Sequence, residues 1–203
     1  VLLENVAMID KAINSQGEVT GLTTGFKRLD EVTSGLQKSD LVIIAARPAM
    51  GKTAFVLNIA QNAAIKAGAS VLIFSLEMAK AQLGQRLLSM ESRVEMQKLK
   101  TGAIERNDWD RINMALDSLS KTNIHIDDNS GISILEMKNK CRRLKAEKGL
   151  DLIIVDYLQL MQSDGKSDSR QQEISALSRQ LKLLAREIDC PVLVLSQLSR
   201  APE

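Results

Sequence analysis

Ala46-Arg47-Pro48-Ala49-Met50-Gly51-Lys52-Thr53 sets a glycine, a lysine and a hydroxyl side by side directly after the apolar run Leu41-Val42-Ile43-Ile44-Ala45. Ala54 to Ala60 follows and reads as a helix. Strand, tight loop, Gly-Lys-Thr and helix together are the context of a phosphate-binding P-loop. The N–H groups of such a loop and the positive end of its helix form a concavity suited to a triphosphate. Residues Ala46, Arg47, Pro48, Ala49, Met50, Gly51, Lys52, Thr53 and Ala54 are therefore the candidate nucleotide cradle. Lys52 would reach the β- and γ-phosphates of such a ligand, and the Thr53 hydroxyl would take one Mg²⁺ position. The pattern G-x-x-x-x-G-K-[ST] asks for Gly at position 46, where this chain has Ala. Alanine still allows close backbone approach provided φ stays negative. The competing reading is an ordinary loop that contains Gly-Lys-Thr.

Holding a nucleotide is not hydrolysing it. Hydrolysis also needs an acid for the metal, a base for water and a group that senses the γ-phosphate. Leu152-Ile153-Ile154-Val155-Asp156 is four apolar residues ending in an acid, the Walker B form, and Asp156 is the candidate magnesium acid. The alternative is a capping Asp at a strand end. Phe74-Ser75-Leu76-Glu77-Met78 ends another run, and Glu77 there can act as general base. The alternative is a glutamate favoured by a helix N-terminus. Val194-Leu195-Ser196-Gln197-Leu198 places an amide at a third strand end, where Gln197 can hydrogen-bond the γ-phosphate.

Elements must bring these groups together. Five apolar runs read as strands: Leu41–Ala46, Val71–Ser75, Asn123–Asp127, Leu152–Asp156 and Val192–Ser196. Continuous rather than alternating apolar runs imply a mainly parallel sheet with helices on both faces. Its ligands would gather at the C-terminal strand ends. The crossovers read as helices over Ala54–Ala67, Ala79–Met90, Asn107–Ser120, Ile134–Lys148 and Gln171–Ile188. The last carries Ile174, Leu177, Leu181, Leu184 and Ile188 on one stripe. A short helix is expected around Phe26–Asp30. Val1–Asn14 has helical apolar spacing and packs either on its own core or on something outside it. Ser163–Ser169 is the most loop-like segment.

Composition bounds the rest. The 203 residues are one domain with at most a small appendage, and 44% hydrophobic content supplies a large core. Aromatic content of 2% leaves too little for base-stacking platforms of the OB or RRM kind. A net charge of +2 argues neither for nor against a polyanionic partner. Cys141 and Cys190 read as free thiols of a reducing cytoplasm, and no Cys/His cluster argues for zinc. His125 alternates with Ile124 and Ile126 and reads as structural. No apolar run approaches the ~20 residues a bilayer span needs. The chain begins at Val1 and ends at Glu203, and both ends look cut.

The set Ala45–Thr53, Phe74–Met78, Ile153–Met161 and Leu195–Arg200 resembles the RecA-like C-terminal motor domain of the DnaB-type replicative DNA helicases. Thr23–Asp30 and Thr33–Leu36 resemble that family's lead-in, and Ala46 is usual there. The likeness runs from about Val19 to Arg200.

The resemblance implies a RecA-like P-loop core in residues 17–203 and a linker helix in 1–16 that docks on the adjacent subunit. It implies a homo-hexameric ring with ATP and Mg²⁺ between subunits. Single-stranded DNA threads the ring, which moves 5′ to 3′ to unwind DNA at the fork. By position Lys52 and Thr53 match the phosphate and Mg²⁺ ligands, Glu77 the catalytic base, Asp156 the Walker B acid and Gln197 the γ-phosphate-linked glutamine. Primase and a helicase loader are the expected partners of the full-length protein. The family's main DNA-gripping loop and arginine finger fall beyond Glu203, while Ser163–Ser169 with Arg170 would face the channel and touch DNA backbone. A RecA/RadA-like recombinase and a nucleotide-gated scaffold without motor activity are the rival readings.

Overall fold

The computed structural model describes residues 19–161 and 170–198. Five strands form one sheet: β1 (Leu41–Ala46), β2 (Val71–Ser75), β3 (Ile124–Asp127), β4 (Leu152–Asp156) and β5 (Val192–Gln197). Their spatial order is β1-β5-β4-β2-β3, and every ladder is parallel. The helices are α1 (Lys27–Thr33), α2 (Lys52–Lys66), α3 (Lys80–Ser92), α4 (Met96–Thr101), α5 (Arg106–Ser120), α6 (Ile134–Lys148) and α7 (Arg170–Ile188). A single 3₁₀ turn, Leu158–Leu160, follows β4.

All five expected strands are present, β3 starting one residue late and β5 running one residue further, to Gln197. The P-loop helix starts at Lys52 rather than Ala54, because Gly51 at φ +82° ends the loop and the helix begins at once. The six-residue α4 and the 3₁₀ turn add to the expected elements; neither is long enough to show a periodic apolar pattern. The expected helix at Val1–Asn14 and the loop Ser163–Ser169 lie outside the described residues.

Alternate residues of each strand feed opposite faces. One face packs Phe74, Ile153, Val155, Val192 and Val194 against Met137 and Cys141 of α6 and Leu177, Leu181 and Leu184 of α7. The other packs Ile73, Ile154, Leu193 and Leu195 against Val56, Leu57, Ile59, Ala60 and Ala63 of α2 and Leu83 and Leu87 of α3. The three inner strands carry the continuous burial their sequences imply. β1 departs from that expectation, with Ile43 48% exposed. As an edge strand it is only partly covered by helices, and β3, the opposite edge, is half-buried throughout.

Cys141 and Cys190 are free and buried, and burial pushes both thiols up to about 12. His125 lies on β3, and burial with the nearby Lys148 charge holds its pKa below the ordinary value. Among the described residues no helix is long and apolar enough to cross a membrane.

Before β1, the turn-rich approach is fastened by one buried carboxylate. Asp30 accepts hydrogen bonds from Thr23 Oγ1 (2.6 Å), the Thr24 N–H (2.9 Å) and Thr24 Oγ1 (2.7 Å). Burial alone would raise its pKa, but these donors hold it below the ordinary value. Asp30→Ala would strand them, and we expect a loss of about 1–3 kcal/mol at neutral pH by urea unfolding. A depressed folded pKa stabilises above the unfolded value, and the contribution disappears as pH falls through the folded one. The gap between wild type and variant should therefore close in acid.

Candidate functional site

Parallel strands end together, so whatever follows β1, β2, β4 and β5 meets at one rim of the sheet. There a cleft of about 360 Å³ is lined by Pro48, Ala49, Gly51, Lys52, Thr53, Ala54, Glu77, Met78, Arg86, Asp156, Tyr157 and Gln197. The four motifs separated in sequence are thus brought to one place. Strand order does part of this. β5 lies between β1 and β4, so Gln197 stands between the loop and the acid.

β1 delivers the chain to the loop in extended form, with Ala46 paired to Gln197. The positive φ angles fall not at Ala46 but at Ala49 (61°) and Gly51 (82°). A glycine at 46 is unnecessary for this turn, and the left-handed conformation is borne by a small residue instead. Among the described residues no side chain caps the N-terminus of α2, which leaves the amides that open it for a ligand. A Cβ at Gly51 would meet nothing among the described residues within 4 Å, so the positive φ rather than crowding favours glycine there. Lys52 curls back under the loop, donating from Nζ to the carbonyls of Ala46 (2.9 Å) and Arg47 (3.2 Å). Ala46 and Arg47 therefore serve through their carbonyls and do not line the cleft, and Met50 is 72% exposed at the loop's outer side.

Asp156 is buried at the end of β4 and accepts from Thr53 Oγ1 at 2.7 Å. Burial raises its pKa, and the Glu77 charge adds to the rise; the Thr53 hydrogen bond and the Lys52 and Arg86 charges oppose it. A hydroxyl beside a desolvated carboxylate is an all-oxygen donor pair of the sort a hard divalent cation accepts. The residues present fit Mg²⁺.

Glu77 is exposed and follows β2 in a tight turn. The buried Ser75 builds that turn: its hydroxyl donates to the Met78 carbonyl (2.6 Å) and accepts from the Met78 N–H (3.3 Å). Leu76 N–H bonds the Asp156 carbonyl (2.7 Å), which ties the Glu77 turn to the metal acid. Among the described residues no hydrogen bond or ion pair holds the Glu77 carboxylate. It is therefore available to a substrate water.

Sequence reading missed Arg86. It projects from α3 into the cleft, and its charge acts on Asp156. The helix also carries Lys80, and no local signal in its sequence singled out Arg86. Arg170 opens α7, and its side chain lies outside the described residues.

A family model described as the DnaB-like helicase C-terminal domain matches residues 21–203. Replicative DNA helicase DnaC of Bacillus subtilis (strain 168) is 52% identical, over 100% of this chain and 45% of its own length. Replicative DNA helicase DnaB of Geobacillus stearothermophilus is also 52% identical, again over 45% of its length. The chain thus spans less than half of these curated relatives. Among solved structures, a DnaB-like replicative helicase studied with primase superposes with a TM-score of 0.88 at 39% identity, over 97% of this chain and 48% of that one. A separately solved ATPase domain gives 0.91 at 38% identity, over 98% and 72%. The RadB recombinase, at 0.52 and 20% identity, shares the fold alone. A RecA-like ATPase fold, four motifs converging on one cleft and a family match over nearly the whole length agree: the chain belongs to the DnaB-like helicase C-terminal domain family.

Proposed function

We propose that this chain is the ATP-driven motor of a replicative DNA helicase, and that the longer protein carrying it works in the cytoplasm as a hexameric ring. The ring moves 5′ to 3′ on single-stranded DNA and hydrolyses ATP between subunits. The convergence of Lys52, Thr53, Glu77, Asp156 and Gln197 in one cleft carries this reading. Residues 17–203 are the motor domain, and 1–16, which lie outside the described residues, are the linker that joins it to the rest of the longer protein. Primase and a loader are its partners, and Arg170 is a candidate DNA contact.

The chemistry follows from the side chains. Loop amides and the α2 N-terminus hold the phosphates. Lys52 leaves the Ala46 and Arg47 carbonyls for the β- and γ-oxygens, where its charge offsets the negative charge that shifts toward the leaving group. Thr53 and Asp156 would hold Mg²⁺, which would supply further neutralisation of the phosphate oxygens. Glu77 takes a proton from the attacking water as its oxygen bonds to the γ-phosphorus and the bond to the β-phosphate oxygen breaks. Gln197 hydrogen-bonds the γ-phosphate without adding charge.

Asp156→Ala is expected to weaken nucleotide affinity about 10-fold in Mg²⁺. A matched titration in chelator should show no difference from wild type. Equal losses in both arms would leave Asp156 a packing residue. For the function itself, single-stranded DNA should raise ATP turnover of the longer protein, and a fork with a 5′ tail should be opened. Turnover indifferent to DNA would contradict the motor and favour the gated scaffold.

A further inference from the structure

We infer that Gln159 is a positioning residue whose carboxamide extends the β4–β5 ladder past the end of β4 and fixes the backbone carrying Gln197. The inference rests on the nucleotide-hydrolysis reading of the cleft. The ladder between β4 and β5 ends at Val155 opposite Val194. β5 runs on to Gln197, while the chain after Asp156 turns into Leu158–Leu160. Among the described residues the last part of β5 thus has no strand beside it on that flank. Gln159 takes the vacant place. Its Nε2 donates to the Gln197 carbonyl (3.0 Å) and to Ser196 Oγ (2.9 Å), and its Oε1 accepts the Gln197 N–H (3.3 Å).

One residue's N–H and C=O both satisfied from one side is the pairing a neighbouring parallel strand would give. It also sets the carboxamide's orientation, since only the oxygen can accept the Gln197 N–H. The opposite flank is held by β1: Ala46 pairs with Gln197, and Leu198 N–H donates to the Ala46 carbonyl (3.2 Å). The tip of β5 is therefore clamped between the strand that feeds the P-loop and the turn that follows the metal acid.

Gln159 does not line the cleft, so it acts through Gln197 rather than on nucleotide. A side chain that must meet a γ-phosphate works only from a fixed origin, and a displacement of about 1 Å can cost about 100-fold in rate. Losing the carboxamide frees the Gln197 N–H and C=O to bond water and lets the tip fray.

The test is basal ATP turnover in the longer protein, with Gln159→Met and Gln159→Glu each made alone and with Gln197→Ala. Gln159→Met removes the amide at similar length. Gln159→Glu keeps an acceptor for the Gln197 N–H but sets a carboxylate against the Gln197 carbonyl. We expect either change to lower kcat about 10-fold. KM for ATP should stay within about 2-fold, and so should the further loss in the Gln197→Ala background, where no side chain remains to be placed. Unchanged kcat, or the same loss with and without the Gln197 side chain, overturns the proposal. Failure of both variants to fold overturns it too, because Gln159 would then be a stability residue. Because basal turnover is read, a wild type indifferent to DNA would defeat the motor reading while the cycle still decides the role of Gln159.

Discussion

Lys52→Ala should leave a folded protein that no longer hydrolyses ATP, with turnover at least about 100-fold below wild type. The size follows from what the ammonium group does. Among the described residues it bonds only the Ala46 and Arg47 carbonyls, at the foot of its own loop. Both can turn to water when the side chain is removed, so the stability cost should stay near about 1 kcal/mol. In the reacting complex the same charge faces oxygens whose negative charge is growing, in a cleft with few other cations. Lys52 and Arg86 are the lysine and arginine that line it. Turnover measured beside a urea unfolding curve separates the two effects. A variant that keeps activity would remove Lys52 from the phosphates. One that loses activity only by unfolding would say nothing for the cradle.

The second large effect is expected at Glu77. Glu77→Gln preserves size and the ability to hydrogen-bond water but cannot accept its proton. Nucleotide affinity should stay within about 3-fold, and turnover should fall about 100- to 10,000-fold. The local structure makes this a clean substitution. The turn is built by Ser75, Leu76 and Met78, and the Glu77 side chain contributes no hydrogen bond to it among the described residues. Unchanged turnover would remove Glu77 from the base role and direct attention to another group at the rim.

Much of this arrangement was legible in the chain, for a definite reason. A parallel sheet buried on both faces must be written as uninterrupted apolar runs, so Leu152–Val155 and Val71–Phe74 announce themselves. The polar residues that close such runs must emerge at the same rim, which is how Asp156, Glu77 and Gln197 could be grouped without knowledge of strand order. The motif at Lys52 and Thr53 supplied the remaining side.

What stayed hidden depends on long-range geometry. That β5 inserts between β1 and β4 is a pairing choice among similar apolar runs, and no local pattern marks it. Arg86 reaches the cleft only because of how α3 is rotated over it. Gln159 sits within Leu158-Gln159-Leu160, a 3₁₀ turn too short to show a periodic pattern, and its one polar side chain meets β5. The glycine that the P-loop pattern asks for at position 46 answers a need that lies elsewhere in the loop. The left-handed angles are at Ala49 and Gly51, and Ala46 is simply the last residue of a strand.

The central claim is that one cleft holds a metal-bound nucleotide between the α2 N-terminus and the tips of β2, β4 and β5. Its most direct test is a crystal structure of this domain with a non-hydrolysable ATP analogue and Mn²⁺, the cation located by its anomalous signal. The account predicts phosphates on the loop amides of residues 49–54, Lys52 swung onto them, and the cation on Thr53 Oγ1 beside Asp156. The γ-phosphate should face Glu77 and Gln197. Phosphates bound elsewhere, or a cation remote from Thr53 and Asp156, would contradict it.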